Sequence, residues 1–184
     1  MILKLADVRL AFPALFEAQT VNGEGEPAFS AAFLIEKDDT QVGAIKKAIS
    51  DVAREKWGAK ADEILTKMVQ ADKTALHNGD LKSEYAGFEG MLYISARNKT
   101  RPLVVDIDKA ILNQADGKPY AGCYVNASIE LWPQDNKYGK RINASLRGVQ
   151  FLRDGDAFSG GGAAKQDEFD DLTAGTEAQG GDLW

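Results

Sequence analysis

The sequence predicts a mainly β domain with an inserted pair of helices, arranged as a small, partly open barrel of five to six strands. Alternating apolar and polar residues recur along most of the first 158 residues. In two of these runs the apolar positions shift by one residue, as in bent strands. In one stretch the spacing of apolar residues changes from that of a strand to that of a helix. At 184 residues, the chain is long enough to bury one hydrophobic core.

The chain opens with a bent strand that is followed by a second strand. In ILKLADVRLAF the apolar positions change phase near Ala6 and Asp7, which indicates a bulge. The polar segment TVNGEGEP carries two glycines and predicts a loop. Residues 28–35 predict the next strand.

The hydrophobic period then becomes that of an α-helix. Apolar residues between positions 40 and 57 share one face, with Asp39 or Thr40 as the N-cap and Gly58 at the end. A second helix is predicted over residues 61–70. Its expected buried face consists of Ile64, Leu65, Met68 and Val69. The two helices form an insertion over about residues 40–70.

Strand patterns dominate the rest of the domain. They occur at residues 88–96, 103–107, 122–132 and 140–152. The last two predict a hairpin around PQDNKYG, and a phase slip at Gly148 indicates a bulge or a barrel corner. His77, the one histidine, lies before these strands in a polar segment that predicts a solvated loop.

The end of the chain differs from the rest in composition. Glycine, alanine and acids replace the apolar patterns from Ser159, so we predict a domain at residues 1–158 and a disordered acidic tail at 159–184. The last 30 residues hold seven acids and one base and carry the whole net charge of −6. Residues 1–154 hold 21 charges of each sign. This segregation favours an interaction tail on a neutral domain, with a purely solubilising tail as the alternative.

Catalytic signatures are missing from the sequence. There is no GxSxG, no phosphate loop ending in GK[ST] and no HExxH motif. One cysteine and one histidine argue against an internal disulfide and against a zinc site of the usual thiolate and imidazole type. Asp106 and Asp108 could bind a divalent metal, but solvated acids at a strand end are the favoured interpretation. We therefore expect no enzyme, no metal and no cofactor.

Membrane and export signals are also missing. The first ten residues interleave charges with apolar residues, unlike a signal peptide, and no apolar run reaches the roughly 18 residues of a membrane span. The sequence therefore predicts a cytoplasmic protein without membrane association.

One face of the predicted sheet combines aromatic rings with bases. Alternation along the hairpin turns Cys123 and the aliphatic side chains inward, so the polar set faces outward with Glu130 as its one acid. The preceding strand and the segment RNKTRP add to this face, as does the hairpin tip. The aromatic members are Tyr93, Tyr124, Trp132 and Tyr138, and the bases are Arg97, Lys99, Arg101, Lys137, Lys140, Arg141 and Arg147.

Rings and bases in this combination are typical of surfaces that bind single-stranded nucleic acid. Each ring stacks a base with about 1–3 kcal/mol, and the cations contact phosphates. The pattern alone favours nucleic-acid binding and leaves open a surface for a protein partner or, less favoured, an enzyme.

The last part of the domain resembles a known family. The run GKPYAGCYVNASIELWPQDNKYGKRINASLRGVQFLRDGDAF, followed by a glycine cluster and an acidic tail, is similar to bacteriophage single-stranded DNA-binding proteins that have an OB-fold and an acidic C-terminal tail. GVQFLRDGDAF is its most specific part. The resemblance implies an OB-fold-like barrel of about five strands. It also implies that single strands are coated and protected during replication or recombination in a bacterial host cell.

The resemblance further implies a docking role for the tail. Acidic tails that end in an aromatic residue recur in such proteins, so we expect replication or recombination proteins to bind here. The residues expected to do so are Asp170, Asp171, Asp182, Leu183 and Trp184. The chain departs from the bacterial housekeeping tail, which ends on a run of Asp and then Ile-Pro-Phe.

Other functions share the same face. A strand-annealing recombination mediator would use it for DNA, and an adaptor would use it for a protein; a nuclease is a more distant third. The sequence leaves homo-oligomerisation open.

Overall fold

The computed structural model describes residues 1–21 and 23–158 of the chain. These residues form a mainly β domain with inserted helices, as predicted. The strands are β1 (Ile2–Val21), β2 (Glu24–Glu36), β3 (Leu76–Asn78), β4 (Met91–Asn98), β5 (Leu103–Val105), β6 (Tyr124–Asn136) and β7 (Gly139–Arg153). The helices are α1 (Gln41–Trp57) and α2 (Ala61–Gln70). The predicted tail from Ser159 lies outside the described residues, so its disorder and the domain boundary remain predictions.

All seven of these strands belong to one curled sheet with the order β3-β4-β2-β1-β6-β7-β5. Neighbouring strands are antiparallel except β5 and β7, which are parallel. The sheet curls until β4 approaches β7, where the Asn98 side-chain amide donates to the Leu146 carbonyl over 2.9 Å. On the same seam, the Ile142 N–H donates to the Lys73 carbonyl over 3.1 Å. Strands that are distant in the sheet order therefore meet and form a partly open barrel.

Both predicted bends are present. β1 pairs with β6 through Leu5 and through Val8, and the register shifts between them at Asp7, which has a φ of 48°. The β6–β7 register shifts at Gly148. A Cβ atom at Gly148 would lie 3.2 Å from the Leu103 carbonyl oxygen, so the glycine lets β5 pair closely with β7. The two bulges supply the curvature that a small barrel requires.

The helical insertion lies where the sequence predicts it. At the start of α1 the Asp39 carboxylate accepts from the Gln41 N–H over 2.9 Å, whereas the N-cap Thr40 makes no side-chain cap bond. α2 buries less than predicted, since Met68 is buried but Val69 is 62% exposed. The reason is that α2 packs mainly on α1 and has an open outer face. No helix among the described residues is long and apolar enough to cross a membrane.

Buried side chains form two clusters on opposite faces of the sheet. The larger cluster fills the barrel with inward strand residues, Cys123 and the buried face of α1. The smaller cluster lies on the outer face of β1, β2 and β4. Its members are Ala11, Ala32, Leu34, Phe88 and Tyr93, with Met91 and Phe158 packed against it. Residues 79–91 and the end of the domain thus cover part of the outer face.

Three local predictions are wrong. Most of the segment TVNGEGEP is strand, because it supplies the end of β1 and the start of β2, with Val21 opposite Glu24; among its described residues only Gly23 lies in a turn. His77 lies in β3, opposite Tyr93, and this strand is too short to produce an alternating pattern. β4 begins at Met91 because the residues before it fold over the sheet.

Candidate nucleic-acid interface

A polar groove follows the seam where β4 approaches β7 on the outer face of the barrel. We call it the β4–β7 groove, and it has a volume of about 370 Å³. Its lining consists of Thr74, Ala75, His77, Ser95, Arg97, Trp132, Gln134, Arg141, Ile142, Asn143 and Ala144. Three of the predicted site residues, Arg97, Trp132 and Arg141, therefore share one groove, and its lining includes no acid.

Trp132 presents its ring from β6 in a fixed orientation. The indole N–H donates to the Ser145 hydroxyl over 3.0 Å, and Asn143 is the cross-strand neighbour. The side chain is nevertheless 40% exposed. Because the polar atom of the ring is already bonded within the protein, the exposed surface is apolar and suited to stacking.

Two guanidinium groups accompany this ring. Arg97 extends from β4 and donates to the Glu26 carbonyl over 2.9 Å, which holds its side chain in place. Arg141 lies on β7 opposite Gln134 and is half-buried. Among the ion pairs formed within residues 1–21 and 23–158, none includes Arg97 or Arg141. Neither guanidinium group is thus in direct contact with a carboxylate of the described residues, although the charge of Arg97 contributes to lowering the pKa of nearby Glu26.

Polar and apolar side chains together line the rest of the groove. The Asn143 amide donates to Gln134 over 3.0 Å, and the buried Thr74 hydroxyl donates to the Leu76 carbonyl over 3.0 Å. The His77 ring stacks on Tyr93 at 4.9 Å, and its Nδ1 is hydrogen-bonded to the Asp72 carboxylate over 2.7 Å. The sequence did not indicate Thr74 and His77 as site residues. They reach the groove because β3 pairs with β4, and β3 is too short to show an alternating pattern.

The remaining bases of the RNKTRP segment lean towards the β1–β2 hairpin. Lys99 forms an ion pair with Glu26, whose pKa is lowered because the Lys99 ammonium donates a hydrogen bond to it. The Arg101 guanidinium lies 5.8 Å from the centre of the Phe16 ring. Arg147 is exposed on β7 next to Gly148. These three bases lie outside the groove lining, and the charge of Lys99 is compensated by Glu26.

The hairpin tip between β6 and β7 carries three further predicted residues. Tyr138 is 75% exposed, and the Lys137 ammonium lies 5.0 Å from the centre of its ring. Lys140 pairs with Asp135 over 3.0 Å, and the same carboxylate accepts from the Trp57 indole over 2.9 Å. The hydrogen bond from Trp57, followed by that from Lys140, lowers the pKa of Asp135. These bonds tie the tip to the end of α1.

The prediction of an exposed Tyr93 is wrong. Its ring does lie on the outer face, but it is only 4% exposed, since His77 stacks on it and Phe88 packs at 5.2 Å. Burial raises the pKa of its hydroxyl. No base can stack on this ring while residues 79–91 cover the sheet.

Tyr124 lies apart from the groove, at the opposite end of β6. It lies eight positions before Trp132, roughly 25 Å along the strand. The Arg153 guanidinium lies 3.7 Å from the centre of its ring, that of Arg9 lies at 5.7 Å, and Gly155 packs against its edge. The structure thus does not bring Tyr124 together with the other predicted site residues.

The other candidate residues have structural partners. Asp106 forms an ion pair of 2.8 Å with Lys118, whose hydrogen bond lowers the pKa of that carboxyl, and Asp108 accepts from the Ala110 N–H. Within the part of the chain that the structure describes, no three metal-ligating side chains come together. The predicted tail residues, Asp170, Asp171, Asp182, Leu183 and Trp184, lie outside the described residues.

Comparisons with known proteins agree with this architecture. The chain is 50% identical to protein p50 of Acyrthosiphon pisum secondary endosymbiont phage 1 over 182 residues, which is 97% of this chain and 98% of that protein. Its fold is similar to that of the single-stranded DNA-binding protein from bacteriophage Enc34 in complex with single-stranded DNA. That likeness has a TM-score of 0.71 and 32% identity, over 86% of this chain and 89% of the other.

A more remote structure shares the fold alone. Gp2.5, a single-stranded DNA-binding protein encoded by bacteriophage T7, matches with a TM-score of 0.57 and 13% identity over 100% of this chain and 99% of the other. The model of a protein family described as the single-stranded DNA-binding protein of Enterobacter phage Enc34 matches residues 1–180. The function that describes this family is not enzymatic, as expected for this chain. The chain therefore belongs to the Enc34 single-stranded DNA-binding protein family.

Proposed function

We propose that the protein binds single-stranded DNA in the β4–β7 groove without sequence preference. The observation that carries the proposal is the exposed Trp132 ring, held in one acid-free groove with Arg97 and Arg141. The ring stacks a base, and the two guanidinium groups contact phosphates on either side. The Enc34 relative, whose structure was solved in complex with single-stranded DNA, supports this assignment.

The groove favours a single strand of any sequence. Stacking needs only the π-face that every base has, and its free energy is about 1–3 kcal/mol per base. The other side chains of the lining are mostly neutral, and several of their polar groups are already bonded to each other. Few groups therefore remain to read base edges, so we expect similar affinity for different sequences.

In the cell, the protein coats and protects single strands during phage DNA replication or recombination in the host cytoplasm. The tail recruits replication or recombination proteins through Asp170, Asp171, Asp182, Leu183 and Trp184. Its acids steer the encounter with a basic partner, and its terminal ring and carboxylate fit an apolar pocket rimmed by bases. When DNA is absent, the acids of the tail lie over the basic face, so that DNA phosphates must compete with them for the groove.

A fluorescence-polarisation titration of labelled oligothymidine, at two salt concentrations, tests the proposed function. The full chain should bind, and log affinity should fall with log salt by about 0.7 per phosphate contact. A duplex of the same length should bind far more weakly. If the chain binds neither the single strand nor the duplex at moderate salt, the assignment of DNA binding is wrong. The groove would then be a candidate surface for a protein partner.

A chain that ends at Phe158 tests the role of the tail. Phe158 packs on the outer cluster and its N–H donates to the Ala121 carbonyl, so this truncation keeps every contact described above. It should bind oligothymidine more tightly than the full chain, most clearly at low salt. Equal affinities would remove the competition between tail and DNA from the proposal.

A further inference from the structure

The outer face carries a second pair of exposed rings that no predicted role includes. Phe12 on β1 is 53% exposed, and Tyr85, which precedes β4, is 45% exposed. Their centroids are 5.0 Å apart and their planes meet at 87°. Phe88 lies beneath both rings, 5.7 Å from Phe12 and 6.1 Å from Tyr85, and is fully buried. We call Phe12 and Tyr85, on the floor formed by Phe88, the aromatic platform.

The backbone places Phe12 on this face against the normal alternation. Leu10 points into the barrel and Ala11 belongs to the outer cluster, so regular alternation would turn Phe12 inward. Instead the β1–β2 register shifts between Ala11 and Ala14, and Phe12 adopts a φ of 47°. A left-handed conformation is unfavourable for a bulky residue, and bulges commonly redirect a side chain beside a functional site.

A row of buried rings connects the platform to the β4–β7 groove. Buried Phe88 contacts Tyr93 at 5.2 Å, and Tyr93 stacks at 4.9 Å on His77, which lines the groove. The Lys82 ammonium lies 5.2 Å from the centre of the Tyr93 ring. The platform and the groove are thus two separate accessible sites on the outer face, joined by packed rings and with a cation between them.

We infer that the platform is a second base-stacking site for the strand that occupies the groove; the inference rests on the proposed function. Because the two rings are at right angles, a base can stack on the face of one ring while the edge of the other ring contacts the side of the base. A protein partner fits less well, because two half-exposed rings offer roughly 200 Å², far below the about 800 Å² that each partner of a stable complex buries.

The platform contacts bases and does not contact phosphates. The segment that carries Tyr85 also exposes Glu84 and Glu89, which repel phosphate. Loss of a platform ring should therefore weaken binding without changing the salt dependence. Loss of a groove arginine should change both, because it removes a phosphate contact.

Oligothymidine titrations of the full chain test the platform with Tyr85→Ala, Phe12→Ala and the ring-retaining control Tyr85→Phe. Each alanine variant should bind long oligothymidine roughly 5- to 150-fold more weakly, with the slope of log affinity against log salt unchanged. Tyr85→Phe should bind within about twofold of the original chain. Thermal unfolding checks that each variant is folded. If Phe12→Ala does not fold, Tyr85→Ala alone tests the platform, because Tyr85 is exposed.

Abasic nucleotides provide a second test. Replacing the bases at one end of the oligomer should weaken binding to the original chain but not to Tyr85→Ala, since the two changes remove the same contact. If Trp132→Ala weakens binding while Phe12→Ala and Tyr85→Ala do not, the platform is not part of the site and the proposed function stands. If the original chain does not bind, the proposed function itself is wrong. Changed self-association at unchanged affinity would instead make the platform a protein contact.

Discussion

The two ends of β6 each turn an aromatic ring to the outer face of the sheet, but their surroundings differ. At the groove end, Trp132 is bonded through its indole N–H and is 40% exposed. At the other end, Tyr124 is packed between the guanidinium groups of Arg9 and Arg153. We call this second region the capped end; it also includes Phe158, above which Arg9 lies at 4.2 Å. Strand alternation thus determines the face on which a ring lies, whereas the neighbouring elements determine whether a ligand can reach it.

Replacing each ring by alanine should separate the two ends most strongly. Trp132→Ala should cost about 1–3 kcal/mol of binding free energy for oligothymidine, because a stacked base is lost, with little change in thermal stability. Tyr124→Ala should keep the affinity within about twofold and lower the free energy of unfolding by about 1–2 kcal/mol. Polarisation titration and denaturant unfolding measure the two quantities. Equal losses of affinity in both variants would place the capped end in the site.

Packing changes at the capped end should lower the stability of the fold. A methyl group at Gly87 would meet the Phe158 ring at 2.5 Å, in a residue with a φ of 85°. Gly87→Ala should therefore lower the free energy of unfolding by about 1–3 kcal/mol. Gly90→Ala is the matched control, because Gly90 has a φ of 75° but open space around it. Equal effects of both changes would show that backbone strain, and not the cover formed by Phe158, is responsible.

Charge removal at the groove end should appear in the salt dependence. The double variant Arg97→Gln with Arg141→Gln should reduce the slope of log affinity against log salt by about 1.4, since two phosphate contacts are lost. Arg54→Gln on α1 is the control, because Arg54 is exposed, pairs with Asp62 and does not line the groove. An unchanged slope in the double variant would remove the two arginines from the phosphate path.

The smallest effect is expected at the hairpin tip beside the groove. Hydrogen bonds from Trp57 and Lys140 lower the pKa of Asp135 in the folded chain. The carboxylate therefore stabilises the fold above its ordinary pKa, and this contribution is lost as the pH falls through the lowered value. Asp135→Asn should melt at a slightly lower temperature at neutral pH, with the difference shrinking in acid. A difference that is constant from neutral pH to about pH 2 would contradict this linkage.

Much of the fold could be predicted because its signals are local. The phase slips near Asp7 and at Gly148 correspond to register shifts, and the change of period marks both helices. The short strand β3 and the segment before β4 could not be predicted, since neither repeats a pattern. Their positions depend on pairing with residues distant in the chain, such as His77 with Tyr93.

The same reason limits what the sequence says about the site. The alternating pattern correctly predicted that Trp132 and Arg141 face outward, and the structure brings both into one groove with Arg97. The pattern also predicted that Tyr93 faces outward, but residues 79–91 cover its ring. Phe12 faces outward because of a bulge. Pro13, which follows it directly, is a local signal for such a bulge, but it does not say towards which face the Phe12 ring turns.

Photo-cross-linking tests whether a single strand lies in the β4–β7 groove. The full chain is irradiated with an oligothymidine in which bromouracil replaces some bases. It is then digested after glutamate, because cleavage at Glu130 separates Tyr124 from Trp132, and the modified peptides are identified by mass spectrometry. We expect adducts on the peptide that contains Trp132 and none on the peptide that contains Tyr124. Adducts at Tyr124 without any at Trp132 would contradict the assignment of single-strand binding to the β4–β7 groove.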